Sequence, residues 1–325
     1  MCRSLASEYD PSALMLPRAM PVRWTAVFVA VLIAAAGCGS DEPPPSPIRQ
    51  SPQGLATAES RFGVGTTVNR LDSVLQSKPP IGVVARIDHA ANAASARDSL
   101  RPPRVTLFGN PQLGTPLMQA NRRAGLDLPQ KMLVYETPDG RAILAYNGTN
   151  YLAARHGLDG VETLPKMATA LQGLAAQVAD STVTPADSVT LDNGAGIIEV
   201  ESDASVDQTV RRLRSAIEAN EALSVMAELD HAANAARVDM ELPPTRLLVF
   251  GNPALGTPLM QDAPTMALDL PQKMLVYEAE NGTVRIAYND PSFLAERHVI
   301  TDQPSRLQTI ADALAALAEQ AAGNA

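Results

Sequence analysis

Cysteine is nearly absent from this chain of 325 residues: only Cys2 and Cys38 occur, both ahead of the region where apolar residues begin to recur. That excludes a disulfide framework and a cysteine zinc site in the folded part. Aromatics make up only 4%, so stacking platforms for nucleic-acid bases are scarce. Basic residues are outnumbered 26 to 35, a net charge of −9. Without a surplus of Lys and Arg there is little to displace phosphate counterions, and no nucleic-acid partner is expected. A membrane-crossing run is missing too. The apolar stretch Thr25–Ala36 has twelve residues, which rise about 18 Å as a helix against a hydrocarbon core of about 30 Å. No G-x-S-x-G elbow, P-loop, dinucleotide-binding glycine motif or HExxH helix occurs, and the folded part has no cysteine nucleophile. No catalytic residue is assigned. No cofactor is expected, and no metal, because the four histidines show no H-x-x-x-H or H-x-H spacing.

What the N-terminus does contain reads as an address. Arg23 precedes the apolar stretch, and Gly37-Cys38-Gly39-Ser40 follows it. A basic flank, a short apolar segment and small residues mark a secretory signal. The small residues ending at Cys38 resemble a bacterial lipobox, although Ala35 stands where that pattern usually has Leu. Residues 1–38 are therefore expected to be a lipoprotein-like signal, with Met1, Met15 and Met20 as candidate starts and Cys38 as the lipidated residue. The membrane would then be a partner through that anchor, and the protein would be exported to the bacterial cell envelope. A plain cleaved signal is the alternative. Residues 39–53 hold five prolines between Asp41 and Pro52, the composition of an extended tether that builds no core.

From there on the chain is duplicated. Slid by 142 residues, it aligns with itself without a gap from about Gly54/Gly196 to His156/His298, and about 40 of the 69 positions between Asp88 and His156 are identical. The longest shared strings are DHAANAA, GNPxLGTPLMQ and LDLPQKMLVYE, separated by the divergent stretches Ser95–Ser99 and Ala120–Gly125. In the second copy the patterns predict strands at 197–201, 223–229, 246–250, 273–278 and 283–288. Helices are predicted at 207–219, 291–297 and 305–321, with a further helix or turn at 256–262. Asn281-Gly282, and Asp139-Gly140 in the first copy, signal hairpins. The expected fold is α+β: two tandem domains, 54–180 and 196–322 with a linker at 181–195, each a partly antiparallel sheet of about five strands with packed helices.

The order Asp-His-Ala, Phe-Gly-Asn-Pro, Leu-Gly-Thr-Pro-Leu-Met-Gln, Leu-Asp-Leu-Pro and Ala-Tyr-Asn resembles the domain-of-unknown-function 302 family, in both copies. The resemblance implies a compact α/β domain that tends to pair, and it brings no assigned chemistry. Two like surfaces on one chain are expected to mate as an intramolecular pseudo-dimer.

The candidate site residues are repeat-matched. His89 and His231 serve either as general bases or as histidines hydrogen-bonded at a strand-to-helix corner. Asp88 and Asp230 suit N-caps. At the Phe-Gly-Asn-Pro corner, Gly109 permits an unusual φ or a close approach, and Thr115 is expected to cap a helix opened by Pro116. Free N–H groups there suit an anion. Lys131 and Tyr135 share a strand face, so Lys131 is either an anion ligand or, as the favoured reading, a solvated strand end. The leading expectation is a non-catalytic binding domain for a small, anionic ligand. Its clefts would be lined by His89, Asn110, Asp127 and Lys131 in one copy and His231, Asn252, Asp269 and Lys273 in the other. An enzyme using His89 and His231 as bases, and an envelope scaffold, are the alternatives.

Overall fold

The computed structural model describes residues 52–324; the signal segment, Cys38 and the proline-rich tether up to Ser51 lie outside the described residues. In the first repeat β1 (Leu55–Glu59), α1 (Val64–Gln76), β2 (Gly82–Asp88) and α2 (His89–Ser95) are followed by β3 (Arg104–Gly109) and α3 (Pro111–Ala120). A 3-10 turn (Arg122–Leu126), β4 (Gln130–Glu136), β5 (Ala142–Asn147), α4 (Thr149–His156) and α5 (Thr163–Ala179) complete it. The second repeat has the same order: β6 (Ile197–Ser202), α6 (Val206–Glu218), β7 (Ser224–Asp230), α7 (His231–Ala236), β8 (Thr245–Gly251) and α8 (Pro253–Asp262). A 3-10 turn (Pro264–Leu268), β9 (Gln272–Glu278), β10 (Val284–Asn289), α9 (Pro291–Arg297) and α10 (Pro304–Ala322) follow.

Each repeat is α+β, with a five-stranded sheet in the order β1-β5-β4-β3-β2, or β6-β10-β9-β8-β7. Every pair within the two sheets is antiparallel. The β4–β5 and β9–β10 hairpins turn at Gly140 (φ 82°) and Gly282 (φ 80°), the one residue type that adopts such angles without steric cost. Both β2 and β7 carry a register shift, between Val83 and Ala85 and between Val225 and Ala227.

Strand alternation decides what each sheet face meets. On β4, Met132 and Val134 pack with Leu71 and Leu75 of α1 and Leu171 and Leu174 of α5. Leu133, one residue out of phase, belongs instead to a core that joins Val105, Leu107 and Leu126 to Leu247, Val249 and Leu275 of the second repeat. The second face of each sheet is thus buried against the other repeat, and full burial of a Leu contributes about 1.5–3 kcal/mol. The divergent stretch ending at Gly125 lies at this seam, where a Cβ on Gly125 would come within 2.9 Å of Leu275 Cδ1.

The corners are closed by side chains. Asp88 Oδ1 accepts from Ala91 N–H at 3.0 Å and Asp230 Oδ1 from Ala233 N–H at 2.8 Å, so both aspartates cap the histidine helices. The expected start of α3 is corrected. It opens at Pro111, not Pro116, because Asn110 Oδ1 takes the Gln112 N–H at 3.0 Å and the Asn110 carbonyl accepts from Leu113 and Gly114. Pro111 lacks only an N–H that the first turn leaves free in any case. Thr115 therefore does not cap; it sits buried inside the helix. Gly109 serves a close approach and has no positive φ: a Cβ there would meet Pro129 Cβ at 3.3 Å, and Gly251 stands in the same relation to Pro271.

Candidate functional site

The histidine helix of each repeat packs on the Asn-Pro helix of the other, α2 on α8 and α7 on α3. His89 Nε2 lies 3.2 Å from the Ala267 carbonyl, and His231 Nε2 lies 3.3 Å from the Gly125 carbonyl. Both contacts cross between repeats, and each ring is buried. Desolvation pushes both imidazoles down to about 4, against the raising effect of these carbonyls and of Asp88 or Asp230. At neutral pH each ring is uncharged and donates Nε2–H to its carbonyl.

A pocket opens beside each of these crossings. The one at the second repeat's corner encloses about 640 Å³, including its open mouth. His89 of the first repeat and Phe250, Asn252, Thr257, Gln272 and Leu314 of the second contribute to its walls. No Asp, Glu, Lys or Arg lines it. The other encloses about 1090 Å³ and joins Asn110, Thr115 and Gln130 to His231. Its wall includes the charged Glu228 and Arg237.

A second constellation lies in the shared core. Arg155 Nη1 donates to Asp127 Oδ2 at 2.8 Å in its own repeat, while Nη2 reaches Asn289 Oδ1 at 2.8 Å and Nε the Ala195 carbonyl at 2.9 Å beyond it. Arg297 repeats the pattern with Asp269 Oδ2 at 2.6 Å, Asn147 Oδ1 at 2.8 Å and the Gln53 carbonyl at 3.1 Å. The Arg297 guanidinium stacks 3.8 Å from the Tyr151 ring centroid, and that of Arg155 lies 4.9 Å from the Phe293 ring. His156 and His298 donate Nε2–H to Asp127 and Asp269 at 2.8 and 2.9 Å. Burial holds both histidines down, so they stay neutral. Burial alone would raise the two aspartates, but Arg155 beside Asp127 and Arg297 beside Asp269 hold both carboxyls well below the ordinary range.

Lys131 and Lys273 enter the same cluster. Lys131 Nζ lies 3.3 Å from Asp269 Oδ1 and 3.9 Å from Asp127 Oδ1. Lys273 Nζ donates to the Asp269 backbone carbonyl at 3.0 Å. Burial first, and the Lys131 ammonium second, push Lys273 down to about 7.

The expected clefts are therefore divided between two places. His89 joins Asn252, and His231 joins Asn110, each across the repeats. Asp127, Lys131, Asp269 and Lys273 gather in the buried cluster instead. The reason is the period of the strand: Gln130 and Gln272 face the pockets, so their neighbours Lys131 and Lys273 face the other repeat. Lys131 is not a solvated strand end but 4% exposed. Among the described residues no three His, Cys, Asp or Glu side chains gather as a metal site. Residue-by-residue reading passed over Arg155, Arg297, Asn147, Asn289, Thr257 and Gln272 as site residues. All lie in strings the two copies share, and that sharing was the available signal.

A family model described as "Domain of unknown function DUF302" matches residues 56–176 and 198–321. The chain is similar to the "Fluoride-specific ion channel FluC 1" of Brucella suis biovar 1 (strain 1330), 43% identical over 103 residues, which is 32% of this chain and 40% of that protein. A protein of the same name from Brucella abortus biovar 1 (strain 9-941) is also 43% identical over 103 residues, covering 32% and 38%. The chain spans about two fifths of the length of these curated relatives. Among solved structures it is similar to an uncharacterized conserved protein DUF302 from Bacillus stearothermophilus. The identity is 21%, over 39% of this chain and 98% of the other, with a TM-score of 0.35.

Lys273, buried beside Lys131, sets a pH dependence. The folded chain releases the Lys273 proton near 7, whereas an unfolded chain holds it to about 10.4. Between these values the unfolded state binds more protons, so stability from this group rises with pH across that window and is lost as pH falls through 7. Urea denaturation of Lys273→Met is expected to show a gain at pH 7, bounded at about 4 kcal/mol by the separation of the two pKa values, with the rise between pH 7 and 10 reduced. A destabilised variant with an unchanged pH profile would contradict the assignment.

Proposed function

The chain belongs to the DUF302 family, twice over, and from that premise we propose that it is a non-catalytic binding protein for a small molecule, its two copies pairing as an intramolecular pseudo-dimer. The observation that carries this reading is the crossing itself. The histidine helix of one repeat walls the Asn-Pro corner pocket of the other, so the strings that both copies keep converge on two concave sites. Concave, mostly apolar pockets with a few polar groups are where small ligands bind.

A binding role is favoured over catalysis by the state of the histidines. A general base works best with a pKa near the operating pH, whereas His89 and His231 are buried, held at carbonyls and lowered to about 4. The anionic ligand expected from Lys131 loses its support, because Lys131 turns away from the pockets into the buried cluster. The conducting activity named for the Brucella relatives is not carried over, since more than half of each lies beyond the similarity.

We further propose export to the bacterial cell envelope and attachment through a lipid on Cys38, with residues 39–53 as the tether; the signal-like residues before Cys38 support this. Expressed in a bacterial host, the wild type is expected in the membrane fraction and Cys38→Ala in the soluble one. Equal partition of both would contradict the anchor.

The binding reading is tested by ligand-observed NMR of the full chain against a library of small molecules. Ala313 is exposed and lines the mouth of the uncharged pocket. Binders are expected, and Ala313→Trp is expected to block them. A library without binders, or binders indifferent to that plug, would overturn the reading for this pocket.

A further inference from the structure

The two pockets differ at one pair of positions. In the first repeat, Gln130 Nε2 lies 3.2 Å from Met167 Sδ, so its amide has a partner inside the protein. Aligning Leu171 and Leu174 of α5 with Leu314 and Leu317 of α10 places Ile310 where Met167 stands. Isoleucine accepts no hydrogen bond. In the second repeat both Oε1 and Nε2 of Gln272 are buried and without a partner. Gln272 is 8% exposed, and the fully buried Thr257 has an unpartnered Oγ1 as well. Both residues line the uncharged pocket, with Met226, Met260, Leu270 and Ile310 around them.

A buried amide without partners is costly, because it has given up water and gained nothing in return. Two such groups at one apolar pocket indicate a partner that comes from outside the chain. A side-chain amide offers an acceptor oxygen beside a donor NH2 group, and a hydroxyl can both donate and accept. The absence of charged side chains from the wall disfavours an ion, whose desolvation nothing there would offset.

We propose that the second repeat's pocket is a specific site for a neutral molecule with an apolar body and a single donor–acceptor head, a primary carboxamide or an undissociated carboxylic acid, paired with the Gln272 amide and the Thr257 hydroxyl. This rests on the binding role proposed above and names the ligand class for one of its two sites. The first repeat's pocket is not equivalent: Met167 already takes the Gln130 amide, and Glu228 and Arg237 make its wall charged. The duplication thus produced one site with an open polar head and one in which the donor end of that head already has an internal partner.

Isothermal titration of the full chain with hexanamide, sodium hexanoate at pH 7 and toluene tests the proposal, alongside Gln272→Met and Ile310→Met. Hexanamide is expected to bind the wild type at one site, with hexanoate at least about tenfold weaker, the equivalent of about 1.4 kcal/mol. Gln272→Met should weaken hexanamide by a similar factor while leaving toluene binding intact. Ile310→Met should also weaken it, by supplying the sulfur that Met167 supplies in the first repeat. Thermal melts separate loss of fold from loss of site, and Gln272→Met is expected to melt no lower than the wild type. Hexanamide and toluene equally unaffected by Gln272→Met would overturn the head-group assignment and leave the pocket reading standing. Failure of both to bind the wild type would overturn the assignment together with that reading for this pocket. A markedly lower melting temperature for Gln272→Met would mean that the amide is already satisfied within the fold, which also overturns it.

Discussion

Two buried arginines organise the molecule. A guanidinium without water must find hydrogen-bond acceptors for its donors and a counter-charge. Arg155 and Arg297 each take the counter-charge from their own repeat and further acceptors from across the seam. Neither repeat can satisfy its arginine alone. Truncating one partner of such a pair leaves an uncompensated buried charge, a cost of about 3–5 kcal/mol, so the network favours one relative placement of the repeats over its neighbours. The apolar contacts of Leu133 and Leu275 supply burial; the arginines supply the register.

The binding reading follows from that placement. Once the arginines fix the seam, α2 must pack on α8 and α7 on α3, and the space left between them becomes the two pockets. The histidines act as wall and fastener there, donating to carbonyls of the opposite repeat's 3-10 turn. The polar residues that both copies keep therefore serve two ends. Asp127, Arg155 and His156 with their counterparts, joined by Lys131, hold the repeats together, while Asn110, Thr115 and Gln130, with theirs, face the cavities.

Much of the fold was legible because its signals are local. The apolar period marks α6 and α10, Asn281-Gly282 marks a hairpin, and Asp88 ahead of an Ala-rich segment marks a cap. The start of α3 was misplaced because two prolines competed for one role, and only the Asn110 side chain decides between them. The site was less legible because its geometry is set by the contact between repeats. Alternation shows that Gln130 and Lys131 face opposite ways, but it does not say which face meets solvent, and here neither does. Nor does the duplication indicate that His89 belongs with Asn252 and not with Asn110. Divergence of Ser95–Ser99 and Ala120–Gly125 between the copies does not show that they meet the other repeat, yet Gln261 reaches the Ser99 carbonyl at 2.8 Å and Gly125 lies against Leu275. The first contact is made on both sides of the seam, since Gln119 reaches the Glu241 carbonyl at 2.8 Å, and it uses backbone, so it tolerates the divergence of the side chains there.

The central claim, that each repeat completes the other, is tested most directly by cutting between them. A protease site inserted after the exposed Ser188, in the segment joining the repeats, allows the full chain to be cleaved once it has folded. The account predicts that the two halves stay associated through size-exclusion chromatography at low concentration and separate only on denaturation. Halves that part on cleavage and remain folded as independent monomers would contradict it.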